Sequence, residues 1–397
     1  MTVPGKTFVL GPDTRIVVAP GGAEALPVAD DLAAIMRPST GYPLPVSAAT
    51  PEPGDIALHL VDAADLGDEG YRLDVSGAGV RLEAARPAGL FYGVQTLRQL
   101  LPPWIESPTV RPGPWTVSGV RISDVPRFRY RGVMLDIARH FQPPAVVKRL
   151  IDQASAYKVN VLHLHVGDDQ GFRIAINGPP ELTTIGGQFS INNDPGGYWT
   201  QAEYIDVVNY AAARFMTVIP EVDTPGHTNA IIMSYAGPEA DPILPDVNCS
   251  NRTPPQWNLT GAVGYSAMCP ESPNTWAILT DIISQLSAIT PGPYYHLGGD
   301  EVPESLLSSE RYVGFVDQEA QIVTSSSRPS PGFRRRRRSV GRRRPTPTAT
   351  SPPSSTAWPA TAPGGSFRAR TSTPPAGDVA GRRGGAGHHR RPANRRG

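Results

Sequence analysis

Residues 159–169 read Val-Asn-Val-Leu-His-Leu-His-Val-Gly-Asp-Asp. The first eight form a short, largely apolar run of the kind that suits a strand buried on both faces. A glycine and two carboxylates follow where such a strand would end. His163 and His165 are two apart, so they share one strand face. Working outward, 144–158 reads as a helix, and 201–214 reads as another opened by Thr200 with Glu203 three residues on, a capping box. Further strands are expected at 132–137, 217–222 and 294–297, with a third helix at 275–288. Strand–helix alternation of this kind marks a parallel α/β array.

Polar residues gather just past the C-terminal end of each expected strand: Arg139-His140, Asp168-Asp169, Asp223 with His227, and Asp300-Glu301. A (β/α)8 barrel assembles its active site there. The expected fold class is therefore α/β, a (β/α)8 barrel whose first half is legible over 126–324, preceded by a small α+β domain over 1–125. In that domain, 71–75 and 80–84 alternate apolar and polar around Ser76-Gly77-Ala78-Gly79, a hairpin signal. Pro87 opens a helix whose stripe of Leu90, Phe91, Val94, Leu97, Leu100 and Leu101 stops before Pro102-Pro103.

Residues 294–301, Tyr-Tyr-His-Leu-Gly-Gly-Asp-Glu, carry the chemistry. Neighbours on a strand point to opposite faces, so two adjacent acids serve one site only where the backbone bends. Gly298-Gly299 supplies that freedom. Paired carboxylates, one protonated and one ionised, are the usual equipment for breaking glycosidic bonds; a solvated turn with two surface acids is the plainer alternative. His163 and His165 with Asp168 and Asp169 resemble a ligand cluster, but no third ligand has fixed spacing, and no metal or cofactor is expected.

Composition narrows the partners. From residue 325 onward there are 17 arginines and a single acid, Asp378, which leaves 20 basic and 35 acidic residues in the first 324. An acidic body does not suit nucleic acid, which requires clustered Lys and Arg, and no stretch reaches the ~20 apolar residues of a membrane span. Cys249 and Cys269 can close one disulfide or remain two buried thiols. The N-terminus shows no basic and apolar leader, which places the chain in the cytoplasm or its true start upstream.

The stretches Asp136-Ile-Ala-Arg139-His-Phe, His163-Leu-His-Val-Gly-Asp168-Asp169-Gln-Gly-Phe, Glu221-Val-Asp223-Thr-Pro-Gly-His227 and His296-Leu-Gly-Gly-Asp300-Glu301 occur in order, each at a strand end. Together they closely resemble the family 20 glycoside hydrolases, the β-N-acetylhexosaminidases, over about residues 10–324. The resemblance implies exo-hydrolysis of terminal GlcNAc or GalNAc from β-linked N-acetylhexosamine oligosaccharides, with the substrate's acetamido oxygen as nucleophile and retention at the anomeric centre. It implies that Asp300 holds the acetamido N–H and that Glu301 protonates the leaving oxygen and later deprotonates water. It also implies that Arg139 grips sugar hydroxyls, and that His227 with Asp223 and Asp168 forms a network behind the acid. Cys249 and Cys269 fall where bacterial members carry a loop disulfide, and an extracellular location follows from the same resemblance. No oligomeric state is selected.

The family completes its pocket with tryptophans, a tyrosine and a further acid from the second half of the barrel, and no counterpart is read after Thr324. Residues 325–397 carry 11 Pro and 10 Gly with almost no aliphatic residues, which cannot offset the entropy of ordering. They read as a basic disordered tail or, in preference, as a shifted reading frame of a GC-rich gene. Two rivals to the hydrolase follow: an inactive remnant or sugar-binding protein, and a polyanion binder acting through the arginine-rich tail.

Overall fold

The structure, a computed structural model, describes residues 2–178, 180–240 and 244–326. Most of the expected arginine-rich tail, from 327 onward, lies outside the described residues. The first domain is one seven-stranded sheet in the order β1-β7-β5-β6-β4-β2-β3. These strands are β1 (Thr2–Val9), β2 (Ile16–Val18), β3 (Val46–Ala48), β4 (Ile56–Leu60), β5 (Tyr71–Ser76), β6 (Gly79–Ala84) and β7 (Thr116–Asp124). The expected hairpin is β5–β6, antiparallel with Ser76 opposite Gly79. Helices α1 (Leu26–Thr40) and α2 (Pro87–Leu100) cover the sheet. Leu90, Phe91, Val94 and Leu97 are buried there in one core with Leu58, Leu73 and Leu82.

The second region is built on three parallel strands, β8 (Gly132–Asp136), β9 (Val161–Asp168) and β11 (Thr217–Val222), with β9 in the middle. A two-residue strand, β10 (Gly171–Phe172), folds back on the end of β9. Helices α3 (Pro144–Ala156), α5 (Gln201–Ala212) and α7 (Pro273–Ile289) lie between or after the strands, and α8 (Ser309–Ser326) closes the described chain. Two short helices, α4 (Glu181–Thr184) and α6 (Asn229–Ala236), sit in the loops above the strands. The capping box at Thr200 forms, its side chain accepting from Glu203 N while Glu203 reaches back. Leu162, Leu164 and Val166 face the helices, in one core with Val147, Ile151, Val207 and Ile282. His163 and His165 turn to the opposite face, the interior of a barrel. This is the winding of the first units of a (β/α)8 barrel, and it delivers every strand's C-terminal end to one rim.

One expected strand is much reduced. Residues 294–297 contribute a single parallel bridge, His296 opposite Glu221. His296 N donates to Pro220 O at 3.1 Å and Thr224 N to Leu297 O at 3.2 Å. Pro220 has no N–H to return to the segment before His296, and Gly298, left-handed at φ 72°, ends the extension just after it.

Candidate active site

The rim is organised around Asp168. Glu221 pairs with His165 and Val222 with Gly167, so β9 carries one extra residue, Val166, as a bulge. Strict alternation would send Asp168 to the face opposite His165, three residues back. The bulge turns it inward. Its Oδ2 then lies 2.8 Å from His165 Nε2 and 2.9 Å from Arg139 Nη2, while its Oδ1 faces His227 Nδ1 at 3.0 Å. The Asp168 side chain is 0% exposed. Burial works against its charge, but the two histidines hold the carboxyl well below the usual carboxylate range.

His227 follows β11 in a left-handed conformation at φ 53°, and its Nε2 stands 3.3 Å from Glu301 Oε2. Burial lowers its basicity; the hydrogen bond and charge of Asp168 outweigh this and raise it to about 9. Glu301 is itself left-handed at φ 51°, so the bend that separates it from Asp300 lies in the acid as well as in the glycines. Two non-glycine residues strained in this way and facing each other are typical of sites held by their surroundings.

The turn before the acids is pinned from two sides. Asp223 Oδ1 accepts from Gly299 N at 2.7 Å and Asp300 N at 3.3 Å. Tyr312 of α8 donates to Gly299 O at 2.8 Å. A Cβ on Gly298 would come 2.1 Å from Asp223 Oδ1, and one on Gly299 would come 2.6 Å from the Tyr312 hydroxyl, so only glycine fits at either position. Asp223 thus grips the turn rather than hydrogen-bonding His227, which it influences through its charge alone. Burial first, and the charge of Asp300, push Asp223 up to about 7 against the opposing pull of His227 and the two amides. Behind it, Glu319 of α8 places both carboxyl oxygens 2.7 Å from Thr224 Oγ1. Burial raises Glu319 to about 8, with Asp223 adding to the rise and the Thr224 hydroxyl opposing it.

Arg139, after β8, donates from its backbone N to Asp136 Oδ1 at 2.8 Å and from Nη1 to Asp136 Oδ2 at 2.7 Å. With its bond to Asp168 this aims the guanidinium along the rim. The structure therefore brings Arg139, Asp168, Asp223, His227, Asp300 and Glu301 together. Cys249 and Cys269 are joined in a disulfide, and the loop segments beside it meet in a single antiparallel bridge between Asn248 and Met268. Asp169, by contrast, is structural: it accepts from Asn229 N, Ser266 Oγ and Asn258 Nδ2.

Sequence reading missed Arg173, Tyr312, Glu319 and the role of Glu221. Arg173 is 0% exposed and, among the described residues, has no carboxylate on its guanidinium; it donates to the carbonyls of Ile137, Ala138, Gly187, Phe189 and Gly197. It ties the loop carrying Arg139 to the loop after α4. The only signal was a lone arginine one residue past the Asp168–Phe172 stretch. Glu221 Oε2 lies 2.6 Å from His163 Nε2 and 3.1 Å from His165 Nδ1, and its Oε1 lies 3.2 Å from His296 Nδ1. Among the described residues, four sets offer donor atoms within 4.8 Å of one another: His163, Glu221 and His296; Asp136, His165 and Asp168; Asp168, Asp169 and His227; and Glu221, Asp223 and Asp300. The 2.6 Å contact is closer than the about 3.3 Å that separates two ligands of a tetrahedral zinc. His163 and Glu221 stand as an ion pair and not as two ligands of one zinc.

Known proteins resemble this chain over most of its described length. The model for the catalytic domain of glycosyl hydrolase family 20 matches residues 128–330, and the model for domain 2 of the same family matches residues 1–125. A beta-N-acetylhexosaminidase of Cellulomonas fimi is 34% identical over 336 residues, 84% of this chain and 63% of its own length. A beta-hexosaminidase of Porphyromonas gingivalis is 36% identical over 296 residues, 74% of this chain and 37% of its own. Among solved structures, the N-acetyl-beta-hexosaminidase of Streptomyces plicatus in complex with thio-NAglucal aligns with a TM-score of 0.74 at 44% identity, covering 82% of this chain and 62% of that one. The chain therefore spans less than two thirds of each relative's length.

Proposed function

The chain belongs to glycosyl hydrolase family 20, and we propose that its site is that of a retaining exo-β-N-acetylhexosaminidase acting on terminal GlcNAc or GalNAc. One observation carries the reading: Glu301, facing His227 at 3.3 Å, and Asp300, whose amide Asp223 holds, leave a single glycine turn at the same strand end. The substrate's 2-acetamido oxygen attacks the anomeric carbon. Asp300 accepts the acetamido N–H and offsets the positive charge that develops. Glu301 gives a proton to the leaving oxygen and afterwards takes one from water, which restores it and retains configuration. Arg139, oriented by Asp136 and Asp168, presents its remaining N–H groups to sugar hydroxyls. Structures of relatives hold thio-NAglucal and GlcNAc, which supports an N-acetylhexosamine as ligand. The disulfide supports a location outside the reducing cytoplasm.

Release of p-nitrophenol from the β-GlcNAc glycoside by the full chain tests this. Glu301→Gln is expected to lower turnover by roughly 10²–10⁴-fold, and no release from the unaltered chain would overturn the reading. A second reading, sugar binding without turnover, is favoured by the open setting of the acid: the Glu301 side chain is 52% exposed, where water weakens every charge interaction. Chitobiose binding by calorimetry without product distinguishes it.

A further inference from the structure

We propose that His165 is a positioning residue for the acid/base: charged and clamped between Asp168 and Glu221, it holds Asp168 against His227 and sets the charge His227 presents to Glu301. The inference deepens the hydrolase reading and rests on it for the role of Glu301. His165 is 2% exposed, and each ring nitrogen faces a carboxylate, Nε2 with Asp168 Oδ2 at 2.8 Å and Nδ1 with Glu221 Oε2 at 3.1 Å. A neutral imidazole has one N–H and one lone pair, so it would set that lone pair against one of the two anions. Only the doubly protonated ring turns an N–H toward both, with a hydrogen bond to Asp168 and an ion-pair contact with Glu221.

The surroundings reinforce this charge state. Asp136 reaches the ring from β8 and Glu221 from β11, while His163 and Asp168 lie on its own strand. His296 faces the other oxygen of Glu221, and Arg139 shares Oδ2 of Asp168. Burial pulls the His165 imidazole down, but its two carboxylate partners outweigh burial and raise it to about 10.

Asp168 divides its two oxygens, Oδ2 to His165 and Arg139 and Oδ1 to His227. Without a cation at His165, more of the carboxylate's charge bears on His227, which also faces Asp169 and Asp223. His227 would then hold its proton more tightly and press harder on the Glu301 carboxylate. The chain thus alternates histidine and acid from Glu301 inward: His227, Asp168, His165, Glu221, His163. The β9 bulge makes the sequence continuous by placing Asp168 on the His165 face.

The test is a pH titration of the imidazole ¹⁵N resonances of the full chain, whose eight histidines are assigned by single replacements. In the unaltered chain, His165 is expected in the doubly protonated form at pH 7 and still so at pH 8.5. In His165→Gln, the His227 midpoint is expected to rise by about one unit, a tenfold change in proton affinity. In Glu221→Gln, the His165 midpoint is expected to fall by about one unit. A neutral His165 at pH 7, or a His227 midpoint that moves by less than about 0.3 units in a folded His165→Gln protein, overturns the proposal. If that variant does not fold, the protonation of His165 in the unaltered chain decides. Neither readout needs turnover: shifted midpoints without hydrolysis would leave the clamp standing and remove the hydrolase reading, and hydrolysis with unshifted midpoints would do the reverse.

Discussion

Asp168 and Glu301 are both carboxylates facing the same histidine, yet one is fully buried with partners on both oxygens and the other is half in water. Asp168 belongs to a strand, and its position follows from ladder register and one bulge. Glu301 belongs to a turn whose shape is imposed by Asp223, Tyr312 and two glycines that admit no other residue. The wall of the site is built by the sheet, and its reacting edge is held by side chains borrowed from elsewhere. Rigid burial suits a group that must keep one charge state. Partial exposure suits a group that must exchange protons with substrate and water.

The contrast can be broken most severely at Arg173. Arg173→Met is expected to cost about 4 kcal/mol in urea unfolding, because it orphans several buried or part-buried carbonyls and frees the Arg139 loop. A loss below about 1 kcal/mol would mean that the loops are held by something else.

A smaller, pH-dependent effect is expected at Glu319. Its carboxyl sits at about 8 in the folded chain against an ordinary 4.5. Between those values the folded chain binds a proton that the unfolded chain has released, so stability falls as pH rises through this window and levels off above it. His165 and His227, both raised, add a decline that continues to about pH 9–10. Glu319→Gln keeps a hydrogen-bonding partner for Thr224 and removes the first slope. It is expected to gain on the order of 4 kcal/mol relative to the unaltered chain between pH 5 and pH 9. Parallel stability curves for the two proteins would refute this.

The smallest change is Tyr312→Phe, which removes one hydrogen bond to the turn. About 1 kcal/mol or less of global stability should be lost. Amide exchange at Gly299 and Asp300 should nevertheless rise severalfold, while exchange at Leu164 on β9 stays as it was. Equal acceleration at both places would erase the distinction between edge and wall.

Much of this was legible in the chain. The hairpin at 71–84, the helix from Pro87 and the capping box at Thr200 rest on local turn chemistry and periodicity, which act over a few residues. The strand at 294–297 was not: its apolar run was right, but strand formation depends on what the neighbour can donate, and Pro220 cannot reciprocate. Arg173, Tyr312 and Glu319 were invisible for a related reason. An arginine reads as surface, and a Tyr or Glu on a helix reads as ordinary, until a remote backbone carbonyl or hydroxyl is found opposite it.

The sequence by itself determined the order of elements and, through strand and helix periods, which polar residues gather at the strand ends; its resemblance to the family then singled out six of them as the site. Tertiary structure alone decided who partners whom: that Asp223 holds the turn and not His227, that a bulge brings Asp168 to His165, and that Glu221 closes the line of alternating charges. The Asp223–Gly299 and Glu221–His165 contacts join residues remote in sequence, and the Asp168–His165 contact, though only three residues apart, depends on a bulge set by the neighbouring strand; register and burial decide all three, and neither is written in any local stretch of the chain.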